Sequence, residues 1–293
     1  MASQTTIARE VNKGSAISNP DLVSVIVPTF KRYDFLQKTL ESILAQSHQH
    51  LELLVVADGH DEQTRAVVDG LNDGRACYHS IEHRGLPAAP RNEGLRRCQG
   101  QWIAFCDDDD LWHKDKLELQ IPVLRDSNYS LCTTDYDYID HDGILLPMRN
   151  YYANYEGKFT WETFYHSMGF ICNAAALFSR DVFETVGYVN EDPKLRAHED
   201  FEYWMRLLFQ NEGFFMKQKL VSYRVHGGSI QRGSAFKVFR KRLALLNSLS
   251  STLPVPLNHR AVKFGKTGVH FLLDQFPVAR KTFRRLQGRT ESV

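Results

Sequence analysis

Four consecutive aspartates, Asp107 to Asp110, directly follow an apolar run from Gln101 to Cys106, and Asp58 closely follows another from Leu51 to Val56. Carboxylates set side by side repel one another, so such a run is either a solvated acidic turn or a place that gathers a cation. Hard oxygen donors suit Mg²⁺ or Mn²⁺, ions that keep coordination positions open for water and phosphate oxygens. A second acidic pair, Glu199-Asp200, opens a helical pattern in which Phe201, Trp204, Leu207 and Leu208 share one face. A carboxylate at that place either accepts the proton of a reacting hydroxyl or simply favours the positive end of a helix dipole.

These groups are far apart in the chain, and the elements between them must bring them together. Leu22 to Val27 is a short β-branched run ended by Pro28, which predicts a strand buried on both faces. Helical spacing follows from Tyr33 to Gln46, then a strand at Leu51 to Val56, a helix at Glu62 to Leu71 and a strand at Ala76 to Ile81. A turn near Gly85 to Pro87 leads to a helix near Arg91 to Arg97 and the strand Gln101 to Cys106. Such alternation predicts an α/β fold with a mostly parallel sheet flanked by helices, and ligands then bind beyond the carboxyl ends of its strands. Asp58 and the aspartate run stand at two such ends. Beyond them the pattern predicts a helix from Lys116 to about Leu124, a strand near Ser130 to Thr134, and a hairpin and loop over Tyr136 to Tyr155. A strand at Asn173 to Phe178, a helix at Arg180 to Val186, a helix at Glu199 to Phe209 and a closing strand at Phe214 to Val225 complete the expectation.

With 293 residues, 43% of them apolar, the chain has material for a substantial core, which excludes a disordered chain. Its 36 Lys and Arg against 35 Asp and Glu exclude a uniformly basic nucleic-acid binder. Five scattered cysteines without a CxxC pair suggest neither a disulfide framework nor a thiolate metal site, and fit a reducing compartment. No signal-peptide core or eighteen-residue apolar run occurs, so the expected location is cytoplasmic, with any membrane contact peripheral at the inner face of the plasma membrane. Residues 1–20 read as a mobile tail, 21–234 as the main domain with halves 21–112 and 113–234, and 235–293 as a basic helical extension. That extension holds twelve Lys or Arg against two acids, a net +10 that leaves −9 on the preceding 234 residues. Its apolar positions either lie on an anionic membrane surface or pack as a cap on the domain.

Several segments in order carry a resemblance: Val23-Ser24-Val25-Ile26-Val27-Pro28-Thr29-Phe30, Val55-Val56-Ala57-Asp58-Gly59, Arg91-Asn92-Glu93-Gly94-Leu95, and Asp107-Asp108-Asp109-Asp110-Leu111-Trp112. Glu199-Asp200-Phe201-Glu202-Tyr203-Trp204 and Tyr223-Arg224-Val225-His226 extend it, so that it covers Leu22 to Gln231. The chain resembles a family 2 glycosyltransferase with the GT-A nucleotide-sugar fold. The resemblance implies an inverting enzyme that transfers a sugar from a nucleoside-diphosphate donor, UDP-linked, to a glycan or lipid-linked acceptor hydroxyl in cell-surface polysaccharide, lipopolysaccharide or related synthesis. It further implies that Asp109 is the direct ligand of Mn²⁺ or Mg²⁺ in an Asp107-x-Asp109 pattern, with Asp107 and Asp108 near the ribose or metal-bound waters. Asp58 matches the carboxylate that reads the nucleobase, with Pro28, Thr29 and Phe30 forming the adjacent pocket; alternatively it closes the turn before Gly59. Asp200 matches the catalytic base, and Glu199 either positions the acceptor or supports Asp200.

His226 is a candidate third metal ligand or diphosphate contact, with Gly227-Gly228 giving a loop the freedom to fold over the donor. Arg91 and Asn92 are candidate donor contacts, although Asn also braces loops and Arg also pairs with carboxylates. Trp112, Tyr203 and Trp204 either stack on a sugar or belong to the core. A sugar-nucleotide pyrophosphorylase shares these demands, but no Gly-rich basic loop for a triphosphate is present. A non-catalytic nucleotide-sugar-binding or membrane-recruited scaffold is the alternative of a different class.

Overall fold

All seven residues of Val23–Thr29 (β1) are buried, so the strand needs neighbours on both edges and cover on both faces. In the computed structural model, which describes residues 21–148, 155–167, 170–226 and 235–275, β1 has both. It pairs in parallel with Leu51–Asp58 (β2), which pairs in turn with Ala76–Ile81 (β3); on its other edge lies Trp102–Phe105 (β4). Pleating divides the apolar side chains between two layers: Val23, Val25 and Val27 face one, Ile26 the other. The first layer is covered by Tyr33–Leu44 (α1), through Leu36, Leu40 and Ile43, and by Val68 of Glu62–Gly70 (α2). Asp61 caps α2 by accepting the Gln63 N–H. Ala88–Arg97 (α3) covers the second layer with Ala88 and Leu95.

The second half carries Leu111–Trp112 (β5), Lys116–Arg125 (α4), Leu131–Ile139 (β6), Gly157–Phe159 (β7), Trp161–Ser167 (α5), Leu177–Ser179 (β8), Arg180–Val186 (α6), Glu199–Leu208 (α7) and Gly213–Arg224 (β9). The described residues form one sheet in the order β3-β2-β1-β4-β8-β6-β9-β5, with β7 paired to β9. The expected parallel arrangement holds from β3 to β4. It reverses at β8, which is antiparallel to both β4 and β6, and the sheet is mixed from there on.

One local expectation needs correction. Asn173 to Phe178 is not one strand: Asn173–Ala175 forms a 3₁₀ turn and pairing starts only at Leu177. The amide of Gln120 donates to the Ala175 carbonyl at 2.9 Å and so takes an acceptor that a ladder would use. The hairpin expected from Tyr136 is present in its first part: β6 pairs with β9 as far as Ile139↔Arg224, and the chain then folds back so that Ile139 bridges Leu145 antiparallel and the Leu146 N–H donates to the Tyr138 carbonyl at 2.8 Å; residues 149–154 lie outside the described residues. Strands β5 and β7 and helix α5, of two, three and seven residues, are too short to leave a periodic signal.

The basic extension forms Ala235–Thr252 (α8) and Leu257–Gln275 (α9). Leu245, Leu246 and Leu249 of α8 enter the same core layer as Phe201 and Trp204 of α7, so α8 packs as a cap. None of the described helices is long and apolar enough to cross a membrane. The tail 1–20, the Gly227-Gly228 loop and residues 276–293 lie outside the described residues.

Close contact between α3 and β1 depends on Gly94, where an added Cβ would sit 2.4 Å from Ile26 Cγ2 and 2.9 Å from Ile26 Cγ1. Two effects oppose each other in Gly94→Ala. Helix propensity gains about 1 kcal/mol, whereas overpacking a filled core costs about 1–3 kcal/mol. We expect the clash to win, with a net loss of stability in urea unfolding; an equal or higher midpoint at unchanged slope would show that α3 can lift off β1 freely.

Candidate active site

The carboxyl ends of β1, β2 and β4 open on one edge of the sheet, where a cavity of ≈ 480 Å³ lies. Its walls include Pro28, Thr29 and Phe30 after β1, Asp58 after β2, Arg91 from α3, Asp107 to Asp109 after β4, and Glu199 and Asp200 from the start of α7. Residues drawn from chain positions 28 to 200 thus face one space. Asn92 does not line it. Its amide donates to the Val189 carbonyl at 2.8 Å and to Glu191 at 2.7 Å, while its oxygen accepts the Val189 N–H. With those groups engaged it is a brace between α3 and the loop before α7, which removes it from the expected donor contacts.

The four aspartates occupy a turn closed by the Asp110 N–H on the Asp107 carbonyl, and their carboxylates point to different surroundings, with Arg32 common to Asp108 and Asp109. Asp107 accepts from Arg91 Nη2 at 2.6 Å. Asp108 accepts from Thr29 Oγ1 at 2.8 Å and Arg32 Nη1 at 3.0 Å. Asp109 meets the same Arg32 nitrogen and lies 2.8 Å from His226 Nε2. Asp110 turns inward and accepts the Arg224 N–H at 2.9 Å. Burial, together with the charges of Asp109 and Asp107, raises Asp110 well above the usual carboxylate range. Burial also pushes Asp108 up to about 7, against the opposing pull of Arg32.

Arg91 is buried and lies between the two halves of the site. One guanidinium nitrogen holds Asp107, and the other donates to Glu199 Oε1 at 3.2 Å. Burial alone would lower its pKa, but Asp107, Glu199 and Asp200 more than offset this and raise it. Glu199 spends its second oxygen on the His198 N–H at 3.1 Å, so both oxygens are held. Asp200 is left looser: one oxygen accepts the Phe201 N–H at 2.7 Å, and the other has no hydrogen-bond partner among the described residues. Burial first, and then the charge of Glu199, raises its pKa to about 6.

Asp58 organises the opposite end. Its two oxygens accept the N–H groups of Arg84 and Gly85 at 2.7 and 2.8 Å, shaping a turn that Gly85 enters with a φ of 67°. The His83 ring, whose Nδ1 lies 3.0 Å from the Asp58 carbonyl oxygen, stacks on Phe30 at 4.5 Å between centroids. Phe30 keeps 46% of its surface exposed, an unusual state for a phenylalanine and one suited to receiving a flat ring.

His226 reaches Asp109 because Arg224, two residues earlier, is pinned. Its side chain donates to the carbonyls of Asp109, Asp140 and His141, each at 2.8 Å. Trp112, Tyr203 and Trp204 are buried in the core and do not line the cavity. Arg32, His83, Arg196 and Tyr223 line it without having been singled out from the sequence. Arg32 carried a usable signal, a basic residue two places after the Pro28-Thr29-Phe30 strand end. His83 carried none, since an isolated ring marks no chemistry by itself, whereas Tyr223 stands in the Tyr223-Arg224-Val225-His226 segment that the resemblance includes.

As to a metal, Asp109 and His226 bring a carboxylate oxygen and an imidazole nitrogen to 2.8 Å from each other at one point of the rim, and the carboxylate is a donor of the type that suits Mn²⁺ or Mg²⁺. Among the described residues no group of three His, Cys, Asp or Glu makes a protein-only cage. The donor set therefore fits an ion that completes its shell with water and substrate oxygens.

A putative teichuronic acid biosynthesis glycosyltransferase of Bacillus subtilis, TuaG, is 30% identical over 212 residues, 71% of this chain and 81% of its own. WfaP of Escherichia coli, a UDP-Glc:α-D-GlcNAc-diphosphoundecaprenol β-1,3-glucosyltransferase, is 27% identical over 83% of this chain and 90% of its own. The chain spans only 32% of the length of a Rickettsia bellii glycosyltransferase to which it is 28% identical. Among solved structures, Staphylococcus aureus TarS 1-349 in complex with UDP-GlcNAc superposes with a TM-score of 0.66 at 17% identity, over 90% of this chain and 75% of that one, a likeness of fold. The family described as Glycosyl transferase family 2 matches residues 24–187, more than half of the chain, which therefore belongs to that family.

Proposed function

We propose that the chain is an inverting, metal-assisted glycosyltransferase that moves a sugar from a UDP-linked donor to a hydroxyl of a lipid-linked or polymeric cell-surface glycan. The observation that carries this reading is the one cavity lined by an exposed aromatic face with Asp58, by the Asp107–Asp109 turn, and by Asp200. Its ≈ 480 Å³ falls in the range of small-molecule sites. The donor and acceptor classes draw support from the UDP-GlcNAc bound to TarS, from the substrates named for WfaP and from the teichuronic acid biosynthesis named for TuaG.

In this reading the nucleobase lies on Phe30, beside the turn that Asp58 shapes, and the diphosphate crosses the rim of β4. Mn²⁺ or Mg²⁺ held there by Asp109 with His226 would supply Lewis acidity for the departing diphosphate. Arg91 fixes Asp107 on that rim and Glu199 at the far wall. Asp200 then stands beside the acceptor. As the acceptor oxygen attacks the anomeric carbon, its proton passes to Asp200 and the electron pair of the broken bond leaves with the diphosphate. Attack opposite to the leaving group inverts the anomeric centre. A carboxylate with a pKa near 6 serves this task because it is ionised at neutral pH yet more basic than an exposed aspartate. Glu199, with both oxygens engaged, orients Asp200 and takes no proton.

A thermal-shift panel of nucleoside diphosphates and UDP-sugars with and without Mn²⁺ tests the donor, since a ligand specific for the folded state raises the melting temperature. Asp109→Ala is expected to abolish the Mn²⁺-dependent part of the shift. Asp200→Asn is expected to keep that shift and to lower the transfer rate by about 10²–10⁴; full transfer by this variant would refute the base assignment. Donor binding with no transfer to any lipid-linked or polymeric acceptor would favour a scaffold instead.

The pH dependence follows from the same carboxylate. Asp200 must be ionised to act, so the rate at saturating substrate is expected to fall about tenfold per pH unit below its pKa of about 6. A pH–rate profile flat down to pH 4.5 would contradict this.

A further inference from the structure

Every side-chain hydrogen bond of Arg32 among the described residues goes to Asp108 or Asp109, both from Nη1. Two other arginines near the rim are fixed from elsewhere. Arg91 is also tied to Glu199, and Arg224 to three backbone carbonyls. Arg32 has only the aspartates, and a quarter of its side chain remains exposed toward the cavity. The backbone is shaped to aim it there: Lys31 adopts a φ of 54°, a left-handed conformation unfavourable for a residue with a Cβ, and the chain turns so that Phe30 and Arg32 both line the cavity.

Charge balance gives this placement a purpose. Asp107 is neutralised by a buried partner, whereas Asp108 and Asp109 have Arg32 in common. Without it two adjacent carboxylates would lie side by side with no guanidinium between them. Asp109 Oδ2, the oxygen that Arg32 occupies, is also the one facing His226 Nε2. A divalent ion bound there sits about 2.1 Å from the oxygen, too close for a guanidinium to keep the same place.

We propose that Arg32 is the resident cation of the metal seat: it neutralises Asp108 and Asp109 in the donor-free protein, competes with the divalent ion for Asp109, and on displacement pairs with the donor's diphosphate. The inference rests on the reading that Asp109 takes the ion. It makes ion and donor binding mutually supportive, because a guanidinium released from Asp109 is a ready partner for diphosphate oxygens. Arg32 is thus a positioning residue that resists metal loading until a nucleotide arrives.

The test is a titration of the full chain with Mn²⁺, read by the electron paramagnetic resonance signal of the free ion, with and without UDP. Without nucleotide, Arg32→Gln is expected to bind Mn²⁺ about tenfold more tightly than the unaltered chain, within the usual range of coupling between sites. Addition of UDP is expected to tighten Mn²⁺ binding more in the unaltered chain than in the variant. Equal or weaker Mn²⁺ affinity in folded Arg32→Gln overturns the proposal. Should that variant not fold, Arg32→Lys decides: its more strongly hydrated ammonium is expected to give a smaller tightening, and unaltered affinity overturns the proposal. Asp109→Asn separates the two levels. Undiminished Mn²⁺ binding there overturns the metal assignment and everything built on it, whereas loss there with unchanged affinity in the Arg32 variants overturns the role of Arg32 alone.

Discussion

The buried guanidinium of Arg91 reaches Asp107 with one nitrogen and Glu199 with another, joining residues that lie 16 and 108 positions away in the chain. A charge taken this far out of water is tolerated only while its partners are ionised and in place, and removing one member of a buried pair typically costs about 3–5 kcal/mol. The pair therefore acts as a constraint on geometry. It holds the end of β4 and the first turn of α7 at a set separation, with the cavity between them. Asp200 follows Glu199 by one residue, so the same constraint decides where the more loosely held carboxylate of the site stands.

A second constraint is the dispersal of the aspartate run. Four carboxylates in a row would repel one another if they faced the same way, and the turn sends them to Arg91, to Thr29 with Arg32, to His226 with Arg32, and inward to the Arg224 backbone. Asp110 thereby fastens β9 behind the rim, and Arg224 carries His226 to the front. The inner aspartates are costly to ionise, as their raised pKa values record. Asp107 keeps 31% of its side chain exposed, against 7% and 12% for Asp108 and Asp109.

Much of the fold was legible from periodicity. The strand-helix alternation up to β4 matches the expected order, and α6 has the expected bounds, Arg180–Val186. Legibility ended where local pattern and tertiary pairing part company. Nothing in Asn173 to Phe178 announces that the side chain of Gln120 will claim the Ala175 carbonyl. The reversal at β8 depends on which edge of β4 is free, and β5 and β7 exist only because β9 offers them an edge. At the site, acidic residues next to apolar runs stood out by type, whereas Asn92 and Arg32 could be sorted only by their contacts. One proved to be a brace and the other a wall of the cavity, although both follow an ordinary helix or strand signal.

By itself the sequence determined the layered α/β architecture, the acidic edge and the family, because burial periodicity and the order of short motifs are properties of the chain read locally. The near-neutral total of +1 was also resolved there into an acidic body and a basic extension. Tertiary structure alone decided what each charge does. Glu199 is held and Asp200 is loose, Asp110 is turned inward and Asp109 outward, and α8 packs against the core with Leu245, Leu246 and Leu249. The reason is physical: the behaviour of a carboxylate or a guanidinium depends on burial and on partners within a few ångströms, and those partners come from positions that no local pattern connects.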